Sequence, residues 1–270
     1  MKNPWDNNRI TWGDPFADGD REAFAKMGYL LCSGQETKFD SLMDSDDLEE
    51  RVGNVKHRLM DFEYCLRFYQ KSVINTKLDF HTLPEPYTGD VNSPVYCLNM
   101  NPGEADPSFD NDSILLLLTW LTLQHSLPFV FWSNPGFNKY KKTDEKGKLH
   151  PHSGCTWFAS KTKELGERPN LFMIEYFPYH SNHGFVFPSW LPSYAYTNAL
   201  IEKAMDDGKF IIIMRQKKRW FKRVPRLEHY SPLAFLSNPQ NACLSKDNVV
   251  YKLNAFNDLV VALENENNKH

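Results

Sequence analysis

The 270-residue chain has no apolar run approaching the ~20 residues of a membrane-spanning helix; its longest aliphatic block covers residues 114–118. The opening MKNPWDNNRITWGD contains no apolar leader segment, so a chain that is neither membrane-inserted nor exported is expected. No C-x-x-C pair occurs among the five scattered cysteines, Cys32, Cys65, Cys97, Cys155 and Cys243. That argues against an iron–sulfur cluster of ordinary spacing and for reduced thiols in a cytoplasm. Positive charge is not in excess: 31 Lys and Arg face 34 Asp and Glu, so any basic site for nucleic acid must be local. Also missing are a Walker loop, a G-x-G-x-x-G after a strand and a G-x-S-x-G elbow, which counts against nucleotide hydrolases, dinucleotide enzymes and serine hydrolases. His150, His152, Cys155, His180 and His183 match no zinc spacing, and Cys155 has no identifiable activating base. Neither a metal nor a cofactor is expected.

Rings are plentiful, with 7 Trp, 12 Tyr and 19 Phe. Most must be core, and a surplus suits a protein that stacks on bases. Across residues 45–72, Leu48, Val52, Val55, Leu59, Phe62, Leu66 and Tyr69 alternate at steps of four and three behind an acidic start. This spacing predicts an amphipathic helix in an N-terminal helical extension, residues 1–82, packed on the main domain.

After the turn-rich PEPYTGDVNSP come four apolar, β-rich runs at 95–98, 171–176, 210–214 and 233–236. Helical patterns separate or follow them: SILLLLTWLTLQ, residues 157–165, YTNALIEKAM, and a closing helix over 249–263. Continuous apolar strands alternating with helices predict a parallel sheet covered on both faces. The fold class is α/β, expected as a three-layer α/β/α domain over residues 83–270 with a central four-stranded parallel sheet.

Ligands of such sheets bind outside the carboxyl ends of the strands, so the strand exits are the places to look. They read NMNPG at 99–103, FPYHSN at 177–182, RQKKRW at 215–220 and SNPQN at 237–241. Asn101, in a rigid Asn-Pro-Gly turn, can orient a water molecule or simply end a strand. Tyr179, His180 and Asn182 can stack on a base or read its polar edge, and His180 taken alone reads equally as a buried histidine with its hydrogen bonds satisfied. The run from Arg215 to Arg226 holds seven Lys and Arg and no acid, and reads as a solvated face or a phosphate contact.

The order of these motifs resembles the uracil-DNA glycosylase superfamily. Met100-Asn101-Pro102-Gly103 looks like the M-N-P-G of its single-strand-selective monofunctional branch. Ser237-Asn238-Pro239-Gln240 with Leu244-Ser245 looks like the closing motif and its loop. Together PEPYTGD, NMNPG, EYFPYHS and SNPQNACLS resemble a group of bacterial proteins of this topology, over residues 83–263. The resemblance implies hydrolysis of an N-glycosidic bond, with Asn101 positioning water, Phe109 stacking on an extruded base and Leu244 filling the gap in the stack. Asn238 stands where the family has a histidine on the departing base, and the second motif carries Pro178-Tyr179-His180, so His180 is expected to supply the missing donor. Asn99, Met100, Gly103, Phe109, Tyr179 and Asn182 are the expected base-binding set. DNA is the expected partner, its phosphates along Lys217, Lys218, Arg219, Lys222 and Arg223. Two rival readings are a non-catalytic base or nucleotide reader of the same fold and a protein-interaction module whose basic run meets an acidic partner.

Overall fold

The four apolar runs pair side by side in a computed structural model of the chain. It describes residues 1–5, 16–23, 78–79, 82–104, 113–127, 130, 133, 141–143, 146–166, 168–181, 191–250 and 254–267. The predicted helix over 45–72, Phe109 and Asn182 lie outside the described residues.

Ten strands are described: β1 Leu78–Asp79, β2 Tyr87–Gly89, β3 Val95–Leu98, β4 Lys141–Thr143, β5 Leu149–Pro151, β6 Leu171–Ile174, β7 His180–Ser181, β8 Phe210–Ile213, β9 Leu233–Leu236 and β10 Val249–Val250. The central sheet runs β10-β9-β8-β3-β6-β2. Its four middle strands are parallel, with Val95 opposite both Leu171 and Phe210, and Ile211 opposite Leu233. The edge strands β2 and β10 are antiparallel to β6 and β9 and were not foreseen. Val249 and Val250, expected at the start of the closing helix, are β-branched residues recruited instead by the open edge of β9.

The helices are α1 Ser113–Leu123, α2 Ser153–Thr162, α3 Tyr194–Asp206, α4 Lys217–Arg223 and α5 Ala255–Asn267. Strand alternation sorts the core into two. Tyr96, Leu98, Phe172, Ile174, Ile211 and Ile213 face Leu200, Ile201 and Ala204 of α3, whereas Val95, Cys97, Met173 and Ile212 face Phe158 of α2 and Leu259 of α5. A mostly parallel sheet thus carries helices on both faces, an arrangement compatible with three layers. Among the described residues no helix is long and apolar enough to cross a membrane.

Described parts of the first 82 residues pack onto this domain. Trp5 is buried, the Asn3 amide donates to the Tyr87 hydroxyl (3.1 Å) and the Leu123 carbonyl (2.7 Å), and buried Asp20 accepts from Tyr179 (2.7 Å) and the Ser193 N–H (2.9 Å).

Gly89 closes β2 at φ +107°, and a Cβ there would stand 2.1 Å from the Leu171 carbonyl oxygen. Both the dihedral and the contact demand glycine. Gly89→Ala is expected to destabilise the protein by more than about 2 kcal/mol in urea unfolding, since edge strand and β6 must part to admit the methyl.

Candidate functional site

Past the carboxyl ends of β3, β6 and β8 lies a cavity of about 400 Å³. Its wall includes Glu85, Asn99, Asn101, Gly103, Glu175, His180, Ser181 and Arg215, with Ser153, Gly154 and Trp157 contributed by the start of α2. The chain passes from β3 to β6 on one side and reaches β8 and β9 on the other, so the cavity sits where the strand order reverses.

Backbone bonds set the wall. The Asn99 N–H donates to the Ile174 carbonyl (2.8 Å), extending the β3–β6 ladder by one step, while the Asn99 carbonyl accepts from the Trp220 indole (3.1 Å). With its main chain held at both ends, Asn99 turns its amide onto Glu175 Oε1 (2.9 Å). Asn101 Nδ2 donates to the Ser181 carbonyl (3.2 Å) and hydroxyl (3.0 Å). A carbonyl can only accept, so this contact fixes which end of the amide is which and leaves Asn101 Oδ1 as the available acceptor. Gly103, at φ +86°, points its carbonyl at the Ser181 N–H (2.9 Å) and at His180 Nδ1 (3.1 Å). His180 must therefore carry its proton on Nδ1, and its Nε2 faces Glu85 Oε1 at 3.8 Å.

Three carboxyl groups line the cavity, of which Glu104 is exposed and Glu85 and Glu175 are set into the wall. Burial pushes Glu85 well above the ordinary carboxylate range, to about 8, and the charge of Glu175 adds to the shift. Burial raises Glu175 likewise to about 8, against the opposing effects of the Asn99 amide, the Arg215 charge and the Met100 N–H. Two close carboxylates in a low-dielectric wall resist ionising together, so the pair holds a proton at neutral pH. Glu175 Oε2 and Arg215 Nε are closed to solvent with no hydrogen-bond partner. Among the described residues no group of three acids, histidines or cysteines is arranged to hold a metal ion.

The raised carboxyls have a consequence for stability. A group whose folded pKa exceeds its unfolded value stabilises fully below the unfolded pKa, and that contribution is lost as pH rises through the folded one. For this pair the window runs from 4.5 to about 8. Asp20 acts in the same sense only up to about 6, and His125, lowered from 6.5 to about 4 by burial, acts oppositely below 6.5. Between pH 6.5 and 8 the glutamates dominate, and unfolding free energy is expected to fall by about 1–2 kcal/mol. Urea titrations of wild type and Glu85→Gln at the two pH values check this. A slope unchanged by the substitution would rule out the pair as its source.

The expected site residues divide. Asn99, Asn101, Gly103 and His180 come together in the cavity wall. Met100 does not: its side chain is 3% exposed and belongs to the core. Tyr179 is buried against Asp20, Phe16 and Phe177, away from any stacking surface. Asn238 lies exposed in the turn after β9, where its Oδ1 accepts from the Asn241 N–H (3.2 Å), and it is not part of the cavity wall. Leu244, 1% exposed, packs in the core beneath α2 and α5, so it has no reach into a base stack.

The basic run is a short helix, α4, and it too divides. Lys217, Lys218, Arg219 and Lys222 are exposed, with Lys217 Nζ 4.5 Å from the Phe235 ring. Arg223 turns inward. It donates to the Tyr176 carbonyl (2.6 Å), Asn198 Oδ1 (2.6 Å) and Thr197 Oγ1, and its guanidinium lies over the Tyr194 ring at 3.8 Å. These partners make Arg223 a strut of the fold and remove it from the phosphate-facing set.

Glu85, Glu175, Ser181 and Arg215 were missed. Glu175 was counted inside the apolar run at 171–176, although β6 ends at Ile174 and Glu175 is the first residue past it. Arg215 follows β8 by two residues and was absorbed into the basic run. Position relative to the strand end was the available signal for both. Glu85 carried none, since it precedes an edge strand that the sequence did not announce.

Fold and site together define a mixed α/β protein with a polar, acid-bearing pocket at the exits of a mostly parallel sheet. Comparison with protein-family models, with curated proteins and with solved structures finds no match to this chain.

Proposed function

We propose that the chain binds a nucleic-acid base or nucleoside in this pocket and hydrolyses its N-glycosidic bond, on a uracil-DNA glycosylase-like topology. The convergence of Asn101 and His180, from the exits of two different strands, on one cavity beside a carboxyl pair carries the reading. Glycosidic cleavage passes through a cationic sugar, so an oriented water and nearby negative charge serve it better than a strong base. Asn101, its amide anchored on Ser181, has Oδ1 left to orient the water. The Glu85 and Glu175 carboxyls offer negative charge for the sugar cation and a proton for the departing base. The exposed Lys217, Lys218, Arg219 and Lys222 begin two residues after Arg215, at the same edge of the sheet, which supports contact with the phosphates of DNA. A base reaching this pocket would be flipped out of its stack.

The place of Asn238 favours a second reading, a non-catalytic base reader. With that side chain tied into its own turn, no group of the closing motif reaches the pocket. Release of free base from single- and double-stranded oligonucleotides carrying uracil, hypoxanthine, oxidised, alkylated and normal bases decides between the two. Release identifies a glycosylase and its base. Salt-dependent binding without release identifies the reader, and neither release nor binding rejects both.

A further inference from the structure

The pocket is joined to a second concentration of positive charge that the proposed function leaves unused. Between residues 141 and 148 the chain carries four lysines and two acids, Asp144 and Glu145, in a protein whose net charge is -3. The two acids lie outside the described residues. β4 and β5 pair with each other apart from the central sheet, Lys141 opposite Pro151 and Thr143 opposite Leu149. Side chains alternate across such a ribbon, so Lys141, Thr143 and Leu149 share one face, and all three are exposed. Lys146 and Lys148, toward the turn, are exposed as well.

Chain connectivity sets this ribbon at the mouth of the cavity. Only His152 separates β5 from α2, and His152, Ser153, Gly154 and Trp157 all belong to the cavity wall. Lys141, across from Pro151, stands at the rim, and Lys148 lies three residues beyond Pro151, about 10 Å further along the ribbon. α4 leaves the same wall elsewhere, beginning two residues after Arg215. The two elements adjoin opposite faces of the sheet: Phe158 of α2 packs in the core on one face, Trp220 of α4 in the core on the other. Exposed cations therefore flank the cavity from both sides.

We infer that the β4–β5 hairpin is a second phosphate-binding arm, and that a nucleic-acid strand crosses the mouth of the pocket with its backbone held by α4 on one side and by the hairpin on the other. The inference rests on the base-binding reading above and adds a surface to it. A base drawn out of its stack is positioned through the backbone on either side of it, and contact on one side alone leaves the other free to swing. Lysine suits the task, because phosphate contacts fix register by charge and carry no base preference.

The test is fluorescence anisotropy of the full chain with labelled oligonucleotides of about 15 residues, single stranded and duplex, in about 50 to 200 mM sodium chloride. Three sets of substitutions are compared, each checked for a retained melting transition. The hairpin set is Lys141→Ala, Lys146→Ala and Lys148→Ala, and the α4 set is Lys218→Ala and Arg219→Ala. The control set, Lys163→Ala, Arg168→Ala and Lys203→Ala, removes exposed charge where α2 and α3 run toward the starts of β6 and β8, at the edge of the sheet opposite the pocket. The hairpin set is expected to weaken binding at least tenfold at the lower salt and to reduce the slope of log K against log salt by about 2, near the loss for three phosphate contacts. The control set is expected to leave the slope within about 0.5 of wild type. A slope unchanged by the hairpin set overturns the inference and leaves the base-binding reading standing wherever wild type still binds. Equal losses from the hairpin and control sets also overturn it, since charge anywhere on the chain would then suffice. Absence of wild-type binding to every oligonucleotide at the lower salt rejects DNA as the partner and the inference with it.

Discussion

Asn101→Ala is expected to reduce base release by about 100-fold or more, with little change in the melting transition. The side chain is half-buried at the pocket wall, and its donors go to the Ser181 carbonyl and hydroxyl rather than into the core. Truncation therefore leaves the sheet and its two cores intact. What it removes is a pre-oriented oxygen, and a water that must be found and aligned anew in each turnover costs rate rather than stability. The measurement is single-turnover release from the best oligonucleotide of the panel, with urea unfolding in parallel. Release within about threefold of wild type, from a folded variant, would show that Asn101 does not position the attacking water. Asn101→Asp sharpens the result. A carboxylate cannot donate to the Ser181 carbonyl, so the variant must turn away or hold a proton, and it is expected to fall well short of wild type despite its stronger base.

The second large effect lies in the basic run and is structural. Trp220→Ala is expected to cost about 3–5 kcal/mol in urea unfolding. Trp220 sits in the middle of KKRWFKR yet is fully buried, meets Tyr176 edge-on at 5.0 Å, and donates its indole N–H to the Asn99 carbonyl. Alanine leaves both a cavity and an unsatisfied carbonyl at the residue that holds Glu175. Lys218→Ala with Arg219→Ala is the contrasting pair: both residues are exposed, so stability should shift by less than about 0.5 kcal/mol while DNA affinity and its salt slope fall. A Trp220→Ala cost below about 1 kcal/mol would mean that α4 is not anchored through this residue. Comparable stability losses in the lysine and arginine variants would mean that the run is a strut throughout.

The sequence by itself determined the layered part of the molecule. Val95–Leu98, Leu171–Ile174, Phe210–Ile213 and Leu233–Leu236 are apolar on both sides, and a strand with no polar face has to lie inside a covered, largely parallel sheet. That constraint is local, legible in a few residues, and it also located the pocket, because parallel strands of one sheet bring all their exits to one edge. Asn101 and His180 were found in this way. The tertiary structure alone decided which exit residues turn inward and toward what. Glu85 meets Glu175 across 90 positions of chain only because β2 pairs antiparallel with β6. Arg223 reads as a phosphate contact in a run of charge, yet it turns inward, with Trp220 beside it in the core, where α4 docks on Tyr176 and Tyr194. Asn238 and Leu244 followed the fourth strand as the motif order required, yet one faces water and the other the core. Residue type and spacing fix which backbone groups must pair and which surfaces must be covered. The direction of a single side chain at the end of a strand depends on partners distant in sequence, and is settled only when the chain has closed around it.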